Sequence, residues 1–297
     1  MLGREYMLLR RGLTTAASVG VGMYAALQQR APDRCEVAPS PPALPALFNL
    51  SGRVALVTGS SKGLGLEMAQ VFAEAGCDVI ISSRNQQELD VARAQILSTG
   101  VRCTAIVADL SKRDEAVKLA RSAEQAYGRV DILVNNAGGS APTPADSVDD
   151  ASWDRVMELN VSAAMVLTRE LSPRMCERGW GRVINISSIM GHVSKQHRSA
   201  YSASKAAMLG LTRAGAIDLG PRGVTVNTLC PGYFMTELPR SLMTSAQLEA
   251  VATRAALGRV ADPRVLAGAA LLLASDAGSF ITGSALVVDG GYLIKGV

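Results

Sequence analysis

The 297-residue chain is poor in the side chains from which metal sites, disulfide frameworks and nucleic-acid surfaces are built. It has two histidines, and its five cysteines are scattered, odd in number and without the Cys-x-x-Cys spacing of zinc sites. We therefore expect a reducing compartment and no metal site. The formal net charge of +4 is small for this length and no basic block stands out, so nucleic acid is not an expected partner.

The first 47 residues lack lysine and differ from the rest in composition. Their basic residues are Arg4, Arg10, Arg11, Arg30 and Arg34. The stretch from Gly12 to Gln29 is uncharged, and the proline-rich residues 38–45 predict an extended linker. Three interpretations of the tail stay open. We favour a mitochondrial transit peptide, because such peptides are arginine-rich and poor in acids. A membrane anchor is the second, although polar residues and glycines interrupt the uncharged stretch. The third is an extension that carries no targeting signal, on a cytoplasmic protein.

Short runs rich in β-branched residues alternate with helical patterns after Leu50, and no linker interrupts them. The runs that predict strands are 53–58, 78–84, 102–109, 131–135, 181–187, 223–229 and 285–289. This alternation predicts a single α/β domain over residues 48–297, with a doubly wound (Rossmann) sheet of seven parallel strands. In such a sheet a ligand binds beyond the carboxyl ends of the strands.

A glycine-rich turn follows the first predicted strand and precedes a predicted helix over residues 64–75. Its glycines are Gly59, Gly63 and Gly65, in the spacing Gly-x-x-x-Gly-x-Gly. Residues without a Cβ atom allow unusual backbone dihedrals and let a pyrophosphate approach the N–H groups at a helix N-terminus. The turn therefore predicts a nucleotide site, although a glycine turn alone is weak evidence.

Two further motifs lie at predicted strand ends, and a third lies on the predicted helix after the fifth strand. Asn135-Asn136-Ala137-Gly138 closes the fourth strand, Ser188 follows the fifth, and Tyr201 precedes Lys205 by one helical turn. Together with the glycine turn, these motifs resemble the short-chain dehydrogenase/reductase family over about residues 48–297. The stretches 48–59 and 231–238 look most like its gluconate 5-dehydrogenase-like branch, and 3-oxoacyl-carrier-protein reductases share nearly every motif.

The resemblance implies catalytic roles for Asn160, Ser188, Tyr201 and Lys205, and a homotetramer or homodimer. It implies a small substrate-covering lobe from Pro231 to about residue 257. It also implies a nicotinamide cofactor held by Gly59, Ser61, Lys62, Gly63, Leu64, Gly65, Ser83, Arg84, Asp109, Leu110, Asn136, Ala137, Gly138, Tyr201, Lys205, Pro231, Gly232 and Thr236. In the family the asparagine kinks its helix and holds a water of a proton relay.

The chemistry of the paired tyrosine and lysine fits this assignment. Hydride transfer to a ketone leaves an alkoxide that needs a proton, and an unperturbed phenol titrates near 10. The ammonium of Lys205 on the same helical face is expected to lower the pKa of Tyr201. Ser188 is expected to donate a hydrogen bond to the substrate oxygen.

An acidic side chain is missing at the end of the second strand, where NAD enzymes bind the ribose hydroxyls. Ser83 occupies that position, with Arg84 beside it and Lys62 in the glycine turn. Two cations without the acid favour NADP(H) over NAD(H), because they can flank a 2′-phosphate. A small-molecule alcohol or ketone is the expected substrate, and His197 and Arg198 could bind the carboxylate of a sugar acid. A catalytically silent relative is disfavoured, because no motif residue is lost.

Overall fold

The computed structural model describes residues 42–237, 241 and 243–295, and the residues it describes from Pro42 onward form one compact unit. All seven predicted strands are present. They are β1 (Val54–Thr58), β2 (Asp78–Ser83), β3 (Cys103–Val107), β4 (Ile132–Asn135), β5 (Gly181–Ile186), β6 (Val224–Pro231) and β7 (Ala285–Val288). They pair in parallel in the order β3-β2-β1-β4-β5-β6-β7, which confirms the doubly wound sheet.

Strands β1, β4, β5 and β6 at the centre of the sheet are buried along their whole length. Side chains of a strand alternate between the two faces of the sheet. In β1, Ala55 and Val57 therefore enter the hydrophobic core on one face, while Val54 and Leu56 enter the core on the other. Burial on both faces explains why β1 and β4 are apolar up to their last residue. Polar side chains buried in β5 and β6, such as Arg182 and Asn227, donate hydrogen bonds to backbone carbonyl oxygens.

Helices cover both faces of the sheet. They are α1 (Leu44–Leu47), α2 (Gly63–Glu74), α3 (Gln86–Leu97), α4 (Arg113–Tyr127), α5 (Asp150–Met157), α6 (Ala163–Glu177), α7 (Ser199–Leu219), α8 (Ser245–Arg254) and α9 (Pro263–Ala274). The apolar sides of α2, α3 and α9 form the core on one face, and those of α4, α6 and the end of α7 form it on the other. The loops that contain the predicted motifs follow the carboxyl ends of the strands and lie at that edge of the sheet.

The small lobe lies between β6 and α9. Phe234 forms a parallel bridge with Ala261, and α8 begins with a capping box in which Thr244 and Gln247 exchange hydrogen bonds. The capping box satisfies backbone N–H groups at the start of α8.

The extended linker predicted over residues 38–45 is wrong at its end, because Leu44 and Pro45 belong to α1. Proline is compatible with the first turn of a helix, because a backbone N–H there would have no hydrogen-bond partner within the helix. The predicted transit peptide and the alternative membrane anchor lie in residues 1–41, outside the described residues. Within the described part of the chain, no helix has the length and apolar character required to cross a bilayer.

Candidate active site

The glycine turn adopts a backbone that other residues would strain or block. Gly59 and Gly63 have φ values of 61° and 62°. A Cβ atom on Gly65 would lie 2.4 Å from the carbonyl oxygen of Gly59, and one on Gly59 would lie 2.9 Å from the Cα of Ala137. Gly59 and Gly63 therefore permit the positive φ values of the turn, and Gly65 permits the close packing of the turn against α2.

Helix α2 begins directly after this turn without a cap from its N-cap side chain. Lys62 is the N-cap residue, its side chain makes no capping hydrogen bond, and the first turn contains no acid. The N–H groups of Gly63, Leu64 and Gly65 belong to that first turn and have no partner within an α-helix. A pyrophosphate group fits this end of the helix, since it would accept these hydrogen bonds and meet the positive end of the helix dipole.

Asn136 connects the motif of residues 135–138 to the glycine turn through hydrogen bonds. Its Nδ2 donates to the carbonyl oxygens of Thr58 and Gly59 at 2.8 and 2.9 Å. In return, the Thr58 hydroxyl accepts from the backbone N–H groups of Asn136 and Ala137, both at 3.0 Å. The structure thus places the side chain of Asn136 in the support of the turn, and leaves Ala137 and Gly138 to line the groove above it.

A groove of about 790 Å³, here called the nucleotide groove, runs beside the turn. Its walls include Gly59, Ser61, Lys62, Ser83, Arg84, Glu88, Ala108, Leu110, Ala137 and Gly138. Arg84 is exposed, and Ser83 is half-buried at the end of β2. Asp109 follows β3 as expected, but its carboxylate accepts hydrogen bonds from the backbone N–H and hydroxyl of Ser111, and its neighbours Ala108 and Leu110 line the wall.

The Lys62 side chain has an acidic partner that sequence reasoning missed. Its Nζ lies 2.9 Å from one carboxylate oxygen of Glu88, and the hydroxyl of Ser61 donates to the other at 2.8 Å. Both contacts lower the pKa of Glu88, and the pair raises the pKa of Lys62. Lys62 is therefore not the unpaired cation that its position in the turn suggested.

A second cavity of about 780 Å³, here called the catalytic cleft, contains the predicted serine, tyrosine and lysine. Ser188, Tyr201 and Lys205 all line it, and Gly138 borders both this cleft and the nucleotide groove. The Ser188 hydroxyl oxygen accepts from the backbone N–H of Met190 at 3.1 Å. Its own proton is therefore available for donation into the cleft.

The electrostatics of Tyr201 differ from the expectation. Burial raises the pKa of Tyr201, and the hydrogen-bonding Ser188 hydroxyl and the Arg198 guanidinium offset this only in part. The pKa of Tyr201 is thus raised and not lowered as predicted, because desolvation of a phenolate outweighs the Ser188 hydrogen bond and the Arg198 charge that favour it. The Lys205 ammonium lies 5.6 Å from the centroid of the tyrosine ring.

Lys205 is buried, with 4% of its surface exposed. Its Nζ donates to the carbonyl oxygen of Ile186 at 2.8 Å. Burial lowers the pKa of Lys205 from 10.5 to about 8, with a weak opposing contribution from Cys230. One of the three ammonium protons is thus used within the protein, and the others remain for a ligand.

Asn160 lies in a π-helical turn (Glu158–Ser162) between α5 and α6. Its side chain accepts from the N–H of Gly139 at 2.8 Å and donates to the carbonyl oxygen of Gly139 and the hydroxyl of Ser204, both at 2.9 Å. These bonds connect the loop after β4 to the helix that carries Tyr201 and Lys205. Such π-turns within helices are frequent at functional sites.

The segment after β6 closes the other side of the cleft. Pro231 and Gly232 line it, and a Cβ atom on Gly232 would lie 2.7 Å from the Cβ of Asp289, so the residue must be small. The Thr236 methyl group lies 3.7 Å from the position that a Cβ on Gly63 would take. Thr236 therefore lies beside the glycine turn.

The mouth of the cleft is cationic. Among the described residues that line the cleft, the charged ones are Lys195, Arg198 and Lys205. Lys195 Nζ donates to the Tyr233 hydroxyl at 3.3 Å, and Arg198 Nη1 donates to the Ser140 hydroxyl at 2.6 Å. Lys195 was missed by sequence reasoning, because a lysine in an exposed loop carries no signal of its own. His197 is exposed outside the cleft, and its φ of 61° belongs to the turn that presents Arg198.

The sequence model of the short chain dehydrogenase family matches residues 53–247. Gluconate 5-dehydrogenase of Gluconobacter oxydans is 35% identical over 252 residues, which cover 84% of this chain and 98% of that enzyme. A 3-oxoacyl (acyl-carrier-protein) reductase structure from Agrobacterium tumefaciens with NADP bound has a TM-score of 0.80 at 34% identity, covering 84% of this chain and 97% of that one. The structure of a gluconate 5-dehydrogenase from Burkholderia cenocepacia in complex with NADP and tartrate has a TM-score of 0.79 at 33% identity, covering 84% and 98%.

Proposed function

This chain belongs to the short-chain dehydrogenase family, and on that premise we propose that it is an NADP-dependent oxidoreductase that interconverts a secondary alcohol and a ketone. The observation that carries the proposal is the meeting of two cavities at Gly138. One cavity has a helix N-terminus suited to a pyrophosphate, and the other contains Ser188, Tyr201 and Lys205. A dinucleotide that spans both would bring its nicotinamide to the tyrosine.

A bound nicotinamide cofactor would supply or accept the hydride. The residues proposed to hold it are the glycine turn and the first turn of α2 at the pyrophosphate, and Lys205 at the nicotinamide ribose. Arg84, Ser83 and Lys62 would surround the adenosine ribose and its 2′-phosphate. Gly232 and Thr236 would border the nicotinamide, since Gly232 lines the cleft and Thr236 lies beside Gly63 of the glycine turn.

Tyr201 acts as the acid when a ketone is reduced. Because burial raises the pKa of Tyr201, the phenol keeps its proton at neutral pH and can transfer it to the oxygen that becomes negative. Ser188 donates a hydrogen bond to the same oxygen, since its own oxygen already accepts from Met190. The Lys205 ammonium then stabilises the phenolate that Tyr201 leaves behind.

An anionic substrate is supported by the mouth of the cleft. Lys195 and Arg198 place two cations on its wall, and each is held by a neighbouring hydroxyl. Arginine and lysine both bind carboxylates through charge-assisted hydrogen bonds. We therefore propose a sugar acid such as gluconate, with 5-ketogluconate as its ketone, as the first substrate to test. A 3-oxoacyl group on an acidic carrier protein is the second candidate, because the same cations would attract an acidic carrier.

Coenzyme titration and a carbonyl screen test the proposal. The purified protein is titrated with NADPH and NADH, and tighter binding of NADH would contradict the cofactor assignment. Ketones, including 5-ketogluconate and acetoacetyl thioesters, are then screened by NADPH absorbance, with Tyr201→Phe as the blank. We expect Tyr201→Phe to bind NADPH nearly normally and to lose turnover, because it lacks only the proton-transferring oxygen. Equal rates for variant and parent would show that Tyr201 is not the acid.

The charged mouth is tested separately. Lys195→Met and Arg198→Met should each raise KM for 5-ketogluconate and leave KM for a small neutral ketone nearly unchanged. Lys118→Met is the matched control, because Lys118 is an exposed lysine paired with Asp114 on α4. An equal change in KM for both ketones would contradict binding of the anionic group by these residues.

A further inference from the structure

Glu88 reaches across the nucleotide groove from the first turn of α3 to the glycine turn. One of its carboxylate oxygens lies 2.9 Å from Lys62 Nζ, and the other accepts from the Ser61 hydroxyl at 2.8 Å. Ser61 and Lys62 precede α2, so a single carboxylate connects the start of two helices. The same carboxylate lines the groove between Lys62 and Arg84.

The position of Glu88 is fixed by its own helix. Its backbone N–H donates to the side chain of Asn85, the N-cap residue of α3, at 3.1 Å. Its pKa is lowered first by the hydrogen bonds from Lys62 and Ser61, and further by the charges of Lys62 and Arg84. Glu88 is therefore ionised at neutral pH, and the groove holds a fixed negative charge beside its two cations.

This charge acts on the group that distinguishes the two coenzymes. A 2′-phosphate carries up to two negative charges at neutral pH, whereas the 2′-hydroxyl of NAD carries none. The phosphate would therefore be repelled by Glu88 and would have to compete with it for Lys62. The hydroxyl meets no such repulsion, and it could even donate to the carboxylate.

We propose that Glu88 is a coenzyme-selectivity residue: it is the nearer of two internal counter-ions of Lys62, at 2.9 Å against 3.9 Å for Glu237, and a 2′-phosphate must displace it, so that it reduces the preference for NADP over NAD. The inference rests on the proposed use of NADP and on Lys62 as part of the 2′-phosphate site. The size of the preference for NADP over NAD then depends on a residue of α3, in addition to residues of the glycine turn and of the end of β2.

Glu88→Gln tests the inference by direct binding. The variant keeps the length of the side chain and an acceptor for Ser61, and it removes the charge. We expect the Kd for NADPH to fall about fivefold, as the loss of one competing, partly exposed ion pair implies, and the Kd for NADH to change less than twofold. Titration with 2′,5′-ADP and with 5′-ADP should show the same contrast without the nicotinamide.

Glu74→Gln is the matched control. Glu74 lies at the end of α2 in an exposed ion pair with Arg264, and it does not line the nucleotide groove. The change in net charge is the same, so Glu74→Gln should leave the Kd for both coenzymes unchanged. An equal gain in NADPH affinity from Glu74→Gln would show a general effect of net charge and would overturn the role of Glu88.

Lys62→Met distinguishes a failure of the proposed role of Glu88 from a failure of the proposed 2′-phosphate site. If Lys62→Met weakens NADPH binding and Glu88→Gln leaves the NADPH-to-NADH ratio of Kd unchanged, the inference about Glu88 is wrong and the 2′-phosphate site stands. If Lys62→Met leaves NADPH binding unchanged, Lys62 is not part of that site and the basis of the inference is lost. Thermal unfolding of each variant shows that the compared proteins are folded.

Discussion

Lys205→Met should stabilise the cofactor-free protein while it removes function. The buried lysine has a pKa of about 8 against its ordinary 10.5, because the ammonium has lost its water. The gap corresponds to about 3 kcal/mol at neutral pH, since a tenfold change in a proton equilibrium is worth about 1.4 kcal/mol. Methionine removes this cost but leaves the carbonyl oxygen of Ile186 without its partner, which costs about 1 to 2 kcal/mol. The net gain is about 1 to 2 kcal/mol, or about 2 to 4 °C in Tm for a domain of this size.

The pH dependence of the stability difference between Lys205→Met and the parent shows whether the buried charge causes that difference. Between pH 8 and 10.5 the unfolded lysine binds more protons than the folded one, so the stability of the parent rises with pH in this interval. The advantage of Lys205→Met should therefore be full below pH 8 and shrink toward pH 10.5. At the upper limit the sign should reverse, because the parent then keeps its hydrogen bond to Ile186 without a buried charge.

Urea unfolding at one protein concentration, at pH 7, 8, 9 and 10, measures the free energy of unfolding of both proteins. Lys118→Met is the control, because that lysine is exposed and its pKa is raised by Asp114. It should show no gain at any of these pH values. If Lys205→Met is destabilised by the same amount at pH 7 and pH 10, burial of a charged lysine does not limit the stability of this fold. The same variant should bind NADPH weakly and lose turnover, because the ammonium serves the ribose and the phenolate.

The remaining predictions concern the serine, the glycine turn and the tail. Ser188→Ala should lower turnover about a hundredfold with little change in NADPH affinity, measured by steady-state kinetics and titration, if it donates to the developing negative charge. Gly65→Ala should abolish NADPH binding, because its Cβ would lie 2.4 Å from the carbonyl oxygen of Gly59; normal affinity would contradict the close packing of the turn. A chain that begins at Phe48 should fold and keep full NADPH affinity, since α1 has no buried residue. Imaging of the full chain with a carboxyl-terminal tag tests the proposed mitochondrial address, and gel filtration tests the proposed homo-oligomer.

The sequence predicted the features of this fold that depend on local pattern. Strands buried on both faces of a parallel sheet are rich in apolar residues, so β1 and β4 could be located from their short apolar runs. Parallel strands end at one edge of the sheet, so the motifs that follow them had to meet there. The one-turn spacing of Tyr201 and Lys205 placed both on one face of α7.

The features that the sequence did not predict are side-chain contacts between residues that are distant in the chain. Glu88 is 26 positions from Lys62, and Lys195 is 38 positions from Tyr233. Sequence spacing carries no signal for such contacts, because they depend on how two helices or two loops are placed on the sheet. The direction of the pKa change of Tyr201 was also missed, since burial could not be weighed against charge before the depth of the cleft was known.

The buried lysine and the proposed acid have one electrostatic requirement in common. A carboxylate beside Lys205 would lower the cost of burying the ammonium. It would also neutralise the positive charge next to Tyr201, and the phenolate formed on proton transfer would lose its stabilisation. Among the described residues Lys205 has a backbone carbonyl as its partner and no carboxylate in an ion pair. The expected cost to stability and the availability of the charge to Tyr201 thus have the same physical origin, which is a buried ammonium without a carboxylate partner.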